Sequence, residues 1–505
     1  MQDGLVEMAE SAGFVGKLLG MISRSASEEK DEIERELPFV VMLFALMSTS
    51  GVSLYESWKR LRKATLLPRF KTEAEEVVRH VEVLGKDPLT AMYELSEKTG
   101  SRMYRDFLGG FISSIKSGGK VSDYMRSKLR AIFELRSKAM NRSTEKVATL
   151  VEGYSVMLIV VLCVYILYVL LSSTASLELM AGVSIPTSPI IAYLAIFLLM
   201  PFVSFVFMLI AHNIQRSTLV DLKPVYKKTM ISLAAAVGVF ASAFFVPALG
   251  DALGLPLLLT ICLVVGVVPG AIEYQKIVRV TYNAEKSLPS FLRDITESQK
   301  TGISPEKSII HATKRRDYGR FSQYLGLIRS QIEWGVSLKD IFDNFKQKVN
   351  SWPVLVNFMM MVETIEVGGG AVGALELLSE YSEKEYEIQV NKRALLKPYV
   401  ILAFVWSVLI ALTTTIVTMT MYILTKFATP SLYEIMSTEI SGQIGVFSLG
   451  IIFQCWISGF FMGKISEGNF ASGLKYAALL AITAYVSLIL SQNFLVGIFD
   501  VSPPT

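Results

Sequence analysis

Few side chains in this sequence belong to the types that do chemistry, and their spacing limits what they can do. Histidine occurs at His80, His212 and His311, and cysteine at Cys163, Cys262 and Cys455. No CxxC, HExxH or GxSxG brings them into a metal or nucleophile pattern. Each cysteine lies inside an apolar run, where a thiol acts as a small hydrophobe. The histidines are far apart along the chain and have no neighbouring cysteine or paired acids, so packing or surface roles are expected of them. A phosphate-cradling loop needs GxxxxGK followed by Ser or Thr, because backbone N–H groups wrap the phosphates and the hydroxyl holds magnesium. Gly-Lys occurs at Gly16, Gly85, Gly119 and Gly463, followed by Leu, Asp, Val and Ile. None qualifies, so no catalytic residue, metal site or cofactor is expected.

The remaining candidates are charges beside two glycine runs. Lys116, Lys120, Arg126 and Arg130 flank Gly118 and Gly119 in ISSIKSGGKVSDYM. Glu363 and Glu366 precede Gly368, Gly369 and Gly370 in VETIEVGGGAVGAL, and Glu380, Glu383 and Lys384 follow them. The first run is basic where the second is acidic. Such faces suit different partners or different faces of one, or are only solvated; anionic lipid would also suit the basic group. The glycines either end a helix in a left-handed cap or act as a moving hinge.

These stretches sit in a chain too apolar for an ordinary soluble protein. Hydrophobic residues make up 52%, mean hydropathy is +0.46, yet charged residues still supply 19%. The charge is therefore segregated from apolar spans. A net charge of +4 gives no case for nucleic acid. A span needs about 20 apolar residues. Seven stretches approach this: Tyr154–Leu171, Ile190–Ala211, Met230–Leu249, Leu253–Ile272, Tyr399–Leu424, Ile444–Met462 and Lys475–Phe499. The third and fourth form either a tight helical hairpin or a re-entrant pair, and Pro201, Pro247 and Pro269 mark kinks or ends. Alternation through seven spans puts 48 of the 49 Lys and Arg on one side, leaving only Lys426 on the other. By the positive-inside rule that side is cytoplasmic and the C-terminus is external. The spans lack interior Asp, Glu, Lys and Arg apart from Lys475 at an end, which argues against an ion pathway. Gln454 reads as an interhelical hydrogen-bond donor.

The charged regions repeat one another. LPFVVMLFALMSTSGVSLYES from Leu37 aligns with LPSFLRDITESQKTGISPEKS from Leu288, pairing Pro38 with Pro289, Gly51 with Gly302 and Ser53 with Ser304. Gly85 pairs with Gly335, and Gly118–Gly119 with Gly368–Gly369, at a spacing one residue shorter. About six helices are expected in each copy, with Ser53, Asp87, Ser101 and Ser122 as N-caps and Pro38 and Pro289 in first turns. The fold class is all-α: a polytopic membrane protein with two duplicated cytoplasmic helical-bundle modules. The expected divisions are an amphipathic and acidic lead-in (1–36, with Ser27 a possible cap), a first module (37–153), spans (154–272), a second module (273–398) and further spans (399–505). The lead-in helix, residues 4–22, packs on its own bundle or lies on a membrane or partner surface.

The paired motifs LP…SGVS with SGGKVSDYM, and LP…TGIS with VGGGAVGAL, resemble the type II secretion system F domain. The four-span insert between the modules is similar to the archaeal branch, the FlaJ-like or TadC-like platforms of archaella and type IV pili. The resemblance implies a non-enzymatic membrane platform that needs no phosphate loop of its own, because a separate hexameric secretion ATPase supplies the energy. It further implies homodimerisation and contact with filament (pilin or archaellin) subunits. The flanking charges then become candidate ATPase-docking residues. The reading from another class is a transporter or channel with regulatory cytoplasmic helices.

Overall fold

The computed structural model describes residues 29–181, 194–215, 222–245, 254–314, 316–349, 351–368, 372–426 and 430–499. Ser27 and the lead-in helix 4–22 lie outside them. Among the described residues there is no strand. The helices in chain order are α1 (29–49), α2 (Leu54–Leu61), α3 (Pro68–Glu82), α4 (Pro88–Lys98), α5 (Arg102–Lys116) and α6 (Val121–Ala181). Then follow α7 (Met200–Ile214), α8 (Lys223–Phe245), α9 (Leu255–Lys300), α10 (Pro305–Thr313), α11 (Ser322–Glu333) and α12 (Leu338–Lys346). The last are α13 (Trp352–Gly368), α14 (Val372–Lys426), α15 (Pro430–Glu467) and α16 (Gly473–Phe499). The chain divides into two compact units: Met1–Ala139 with Val280–Glu387, and Met140–Arg279 with Ile388–Thr505.

The first unit contains the two repeats, and their turns have the same geometry. Gly51 and Gly302 take φ of +78° and +83°, and Gly85 and Gly335 take +64° and +77°. Only glycine enters this region without a Cβ penalty. Ser53 and Ser304 are N-caps at matching dihedrals, and Asp87 and Ser337 cap α4 and α12 through their side chains. Ser101 Oγ donates to Glu34 Oε1 at 3.2 Å, and its counterpart Ser351 Oγ donates to Glu285 Oε1 at 2.9 Å. Two expectations change. Pro38 and Pro289 lie inside α1 and α9, not in first turns. An interior proline forfeits a hydrogen bond, but here burial of the flanking residues Leu37 and Phe39, and of Leu288 and Phe291, holds the helix across it. Ser122 lies within the first turn of α6, which starts at Val121.

One hydrophobic core runs through both repeats. Helix α1 is buried on every face from Phe39 to Met47, and α13 from Val354 to Val362; helices apolar all round belong in an interior. Phe39 meets Trp352 edge-on at 4.6 Å, and the Trp352 indole donates to Leu66 O at 3.0 Å. Phe133 packs on Tyr381 at 4.7 Å. Each such aromatic contributes about 1.5–3 kcal/mol on burial.

The second unit contains the apolar stretches. Six helices are long and apolar enough to cross a membrane: Val121–Val164, Ile196–Ile214, Leu255–Lys300, Val372–Val417, Gly445–Glu467 and Phe470–Phe494. They cover six of the seven expected spans. The other, Met230–Leu249, falls on α8, and its last residues with Pro247 lie outside the described ones. Helices α8 and α9 pack antiparallel over several turns: Ser232 Oγ donates to Gly266 O at 2.6 Å, and Ala236, Phe240, Leu258 and Cys262 cluster beyond. The connection between them lies outside the described residues. Pro201 sits in the first turn of α7, after a π-helical Ala195–Leu199, while Pro269 stays inside α9. Helices α15 and α16 approach closest at glycines, where a Cβ on Gly459 or Gly463 would run into the backbone of Ala477 or Gly473. Small residues allow this approach where lipid offers no hydrophobic drive.

Candidate functional site

The Gly118–Gly119 turn is built as a helix stop. Ser117 ends α5, the Gly118 N–H donates to Ile115 O at 3.0 Å, and the Gly119 N–H donates to Ser114 O at 2.9 Å. With Gly118 at φ +72°, this is a Schellman cap. Gly119 is crowded, since a Cβ would lie 3.2 Å from Ser114 O. The second run differs: Gly368 is the last residue of α13 and has no positive φ, while Gly369 and Gly370 lie outside the described residues.

The structure separates the candidate charges into two groups. Lys116, Lys120 and Arg126 are exposed and form no ion pair among the described residues. Arg130 is exposed beside the Tyr381 hydroxyl. The acids are engaged internally. Glu363 pairs with Arg60 at 3.0 Å across the two repeats, and Glu366 with Lys339. Glu380 pairs with Lys384 and Glu383 with Arg293. The basic group therefore projects, while Glu363, Glu366 and Glu383 join different helices of the first unit and Glu380 pairs along α14.

Motif reading missed an apolar feature of the same unit. Trp334 is 87% exposed, directly before Gly335; Val83 is 74% exposed and Leu84 also projects, directly before Gly85. The signal was legible, because an apolar residue at a helix C-cap ahead of a left-handed glycine recurs in both copies. His80, expected to lack paired acids, has Nδ1 3.3 Å from Glu94 and Nε2 4.0 Å from Glu76. Folding α3 against α4 brings these together. Among the described residues no group of His, Cys, Asp and Glu is arranged to hold a metal ion.

In the second unit, Gln454 organises a polar hub. Its Nε2 donates to Ser204 Oγ at 2.7 Å, and Tyr154 Oη lies 2.6 Å from Ser458 Oγ and 3.1 Å from Ser204 Oγ. Helices α6, α7 and α15 are joined by it. Lys464, placed beyond a span by its sequence position, lies inside α15, which continues to Glu467. Its buried Nζ donates to Gln215 O at 2.7 Å and Gly468 O at 2.6 Å, carbonyls at the ends of α7 and α15. A cation at two helix C-termini is favourably placed.

The family model for the type II secretion system (T2SS), protein F, matches residues 41–169 and 291–419. The two matches are equal in length, start 250 residues apart and together cover just over half of the chain. The chain belongs to this family, as a membrane platform-type protein carrying the domain twice. No curated protein and no solved structure matches it.

Proposed function

We propose that this protein is the integral-membrane platform of an archaeal type IV pilus-like or archaellum assembly machine, coupling a cytoplasmic secretion ATPase to filament-subunit assembly. The observation that carries this reading is the duplicated family domain, each copy of which leads through one helix, α6 or α14, into an apolar segment. Such a platform is not itself an enzyme; the hexameric ATPase supplies the energy. The charged modules lie in the cytoplasm, the C-terminus is external, and two copies form a homodimer beneath the filament. The exposed basic group Lys116, Lys120, Arg126 and Arg130 is the docking surface for the ATPase. Lys116 closes α5 before the Gly118 cap, and Arg126 and Arg130 lie in the first turns of α6 after it.

Reversal of Lys116, Lys120 and Arg126 to Glu tests the docking assignment. Affinity for the ATPase encoded with this protein falls at moderate salt while helical content and elution volume stay the same. Unchanged affinity in a folded variant rejects these residues as the docking surface.

A further inference from the structure

The Gln454 hub leaves one strong hydrogen-bonding atom without a partner, and its direction can be worked out. Ser204 Oγ gives its hydrogen to Met200 O at 3.0 Å, and Ser458 Oγ gives its hydrogen to Gln454 O at 2.9 Å. The Tyr154 hydroxyl therefore donates to Ser458. The Gln454 side-chain amide donates to Ser204 Oγ at 2.7 Å and, more weakly, towards Tyr154 Oη at 3.4 Å. Turning the amide over would set its oxygen against a serine oxygen whose hydrogen is already committed. The amide is fixed, and Gln454 Oε1, on a residue only 3% exposed, has no donor. A buried unmet acceptor costs about 1–3 kcal/mol.

Gln454 lines a cavity with Tyr154, Trp406, Ser407, Cys455 and Met462, all in the second unit. Trp406 Nε1 is buried there and has no acceptor. The cavity offers about 20 Å³ to the centre of a water molecule, above the roughly 10–15 Å³ that one water needs. No acid or base lines it, which excludes an ionic ligand on the cost of an unpaired charge. The occupant has to be small and neutral and has to donate and accept at once.

We infer that this cavity is a binding site for an ordered water, which donates to Gln454 Oε1 and takes the Trp406 indole N–H as its second partner. Trp406 lies on α14, so the water links that helix to the hub formed by α6, α7 and α15. Direct links from α14 to the hub helices include the Ser407 hydroxyl, 3.4 Å from Cys455 Sγ, and Tyr399 Oη, which donates to Glu152 Oε1 at 3.2 Å. A bridge through water holds α14 to the hub nearly as well as a direct hydrogen bond would.

Hydroxyl-radical footprinting of the full chain in lipid nanodiscs tests this, because radicals made at a bound water oxidise the side chains beside it. Met462 is buried at 3% exposure and lines the cavity, while Met360 and Met361 are buried in the other unit's core. Met462 is expected to oxidise at least about tenfold faster than those two, as a site holding water requires. Gln454→Leu then lowers the Met462 rate to the level of Met360. Equal rates for the three methionines in the unaltered protein overturn the site, even if the variant fails to fold. A folded Gln454→Leu protein with an undiminished Met462 rate overturns the role of Gln454.

Discussion

The ion pair between Arg136 and Glu385 offers a quantitative test of the shared core. Arg136 Nη2 donates to Glu385 Oε1 at 2.8 Å, and the guanidinium lies 4.8 Å from the Phe39 ring centroid. The side chains are 19% and 5% exposed. The pairing uses one bond only, since Glu385 Oε2 and Arg136 Nε are buried without partners. Its net worth against a good apolar pair is therefore small, while breaking it from one side is expensive. Arg136→Met keeps contact with Phe39 and strands a buried carboxylate, with an expected loss of about 3–5 kcal/mol. Glu385→Leu strands a less buried cation, and about 2–3 kcal/mol is expected. The double variant should return to within about 1 kcal/mol of the parent, giving a coupling of several kcal/mol. Denaturant unfolding of the intact protein, followed by tryptophan fluorescence, reads this through Trp58 and Trp352, which lie in or against this core. Additive single effects, with no recovery in the double variant, would refute the claim that the repeats are joined through this pair.

Further outcomes follow from single positions. Glu36 is buried, and burial, outweighing the Phe70 N–H it accepts at 3.2 Å, raises its pKa to about 7. The folded state thus binds more protons than the unfolded one between about pH 4.5 and 7, so this group favours folding most at low pH and the benefit fades as pH rises to 7. Glu36→Gln should remove up to about 3 kcal/mol of that dependence, seen as melting temperatures that no longer fall from pH 5 to 8. Gly118→Ala forces a Cβ into a left-handed position and should cost about 1 kcal/mol without abolishing assembly; loss of assembly with unchanged stability would make the turn a moving hinge. Gly463→Ala drives a Cβ into the Gly473 backbone and should cost over about 2 kcal/mol by forcing α15 and α16 apart, measured as lost thermal stability in nanodiscs. Trp334→Ser, at an exposed site, should shift stability by no more than about 0.5 kcal/mol.

Much of the architecture was local enough to be written in the sequence. Gly51 with Gly302 and Gly85 with Gly335 were visible as a repeat because a left-handed turn leaves glycine little competition. Asp87 and Ser101 were legible as caps because a side-chain oxygen facing free N–H groups is a short-range arrangement. Six spans followed from the length of apolar runs. What was hidden depends on contacts distant in sequence. Nothing near Glu363 indicates that Arg60 neutralises it, so the acidic group looked as available as Lys116 and Lys120. Pro38 looked like a helix start, because only the buried packing of α1 reveals that the helix runs through it. Gln454 was legible as an interhelical donor, but its unmet carbonyl emerges only once Ser204, Tyr154 and Ser458 have fixed the amide. Lys464 shows the same limit: a lysine beyond an apolar run reads as solvated until two helix ends are found to meet at it.

The most direct test of the platform assignment is electron microscopy of cells lacking this protein. The account predicts that surface filaments disappear, that their subunits accumulate in the membrane, and that the intact gene restores assembly. Filaments of normal number and length in the deletion strain would contradict it.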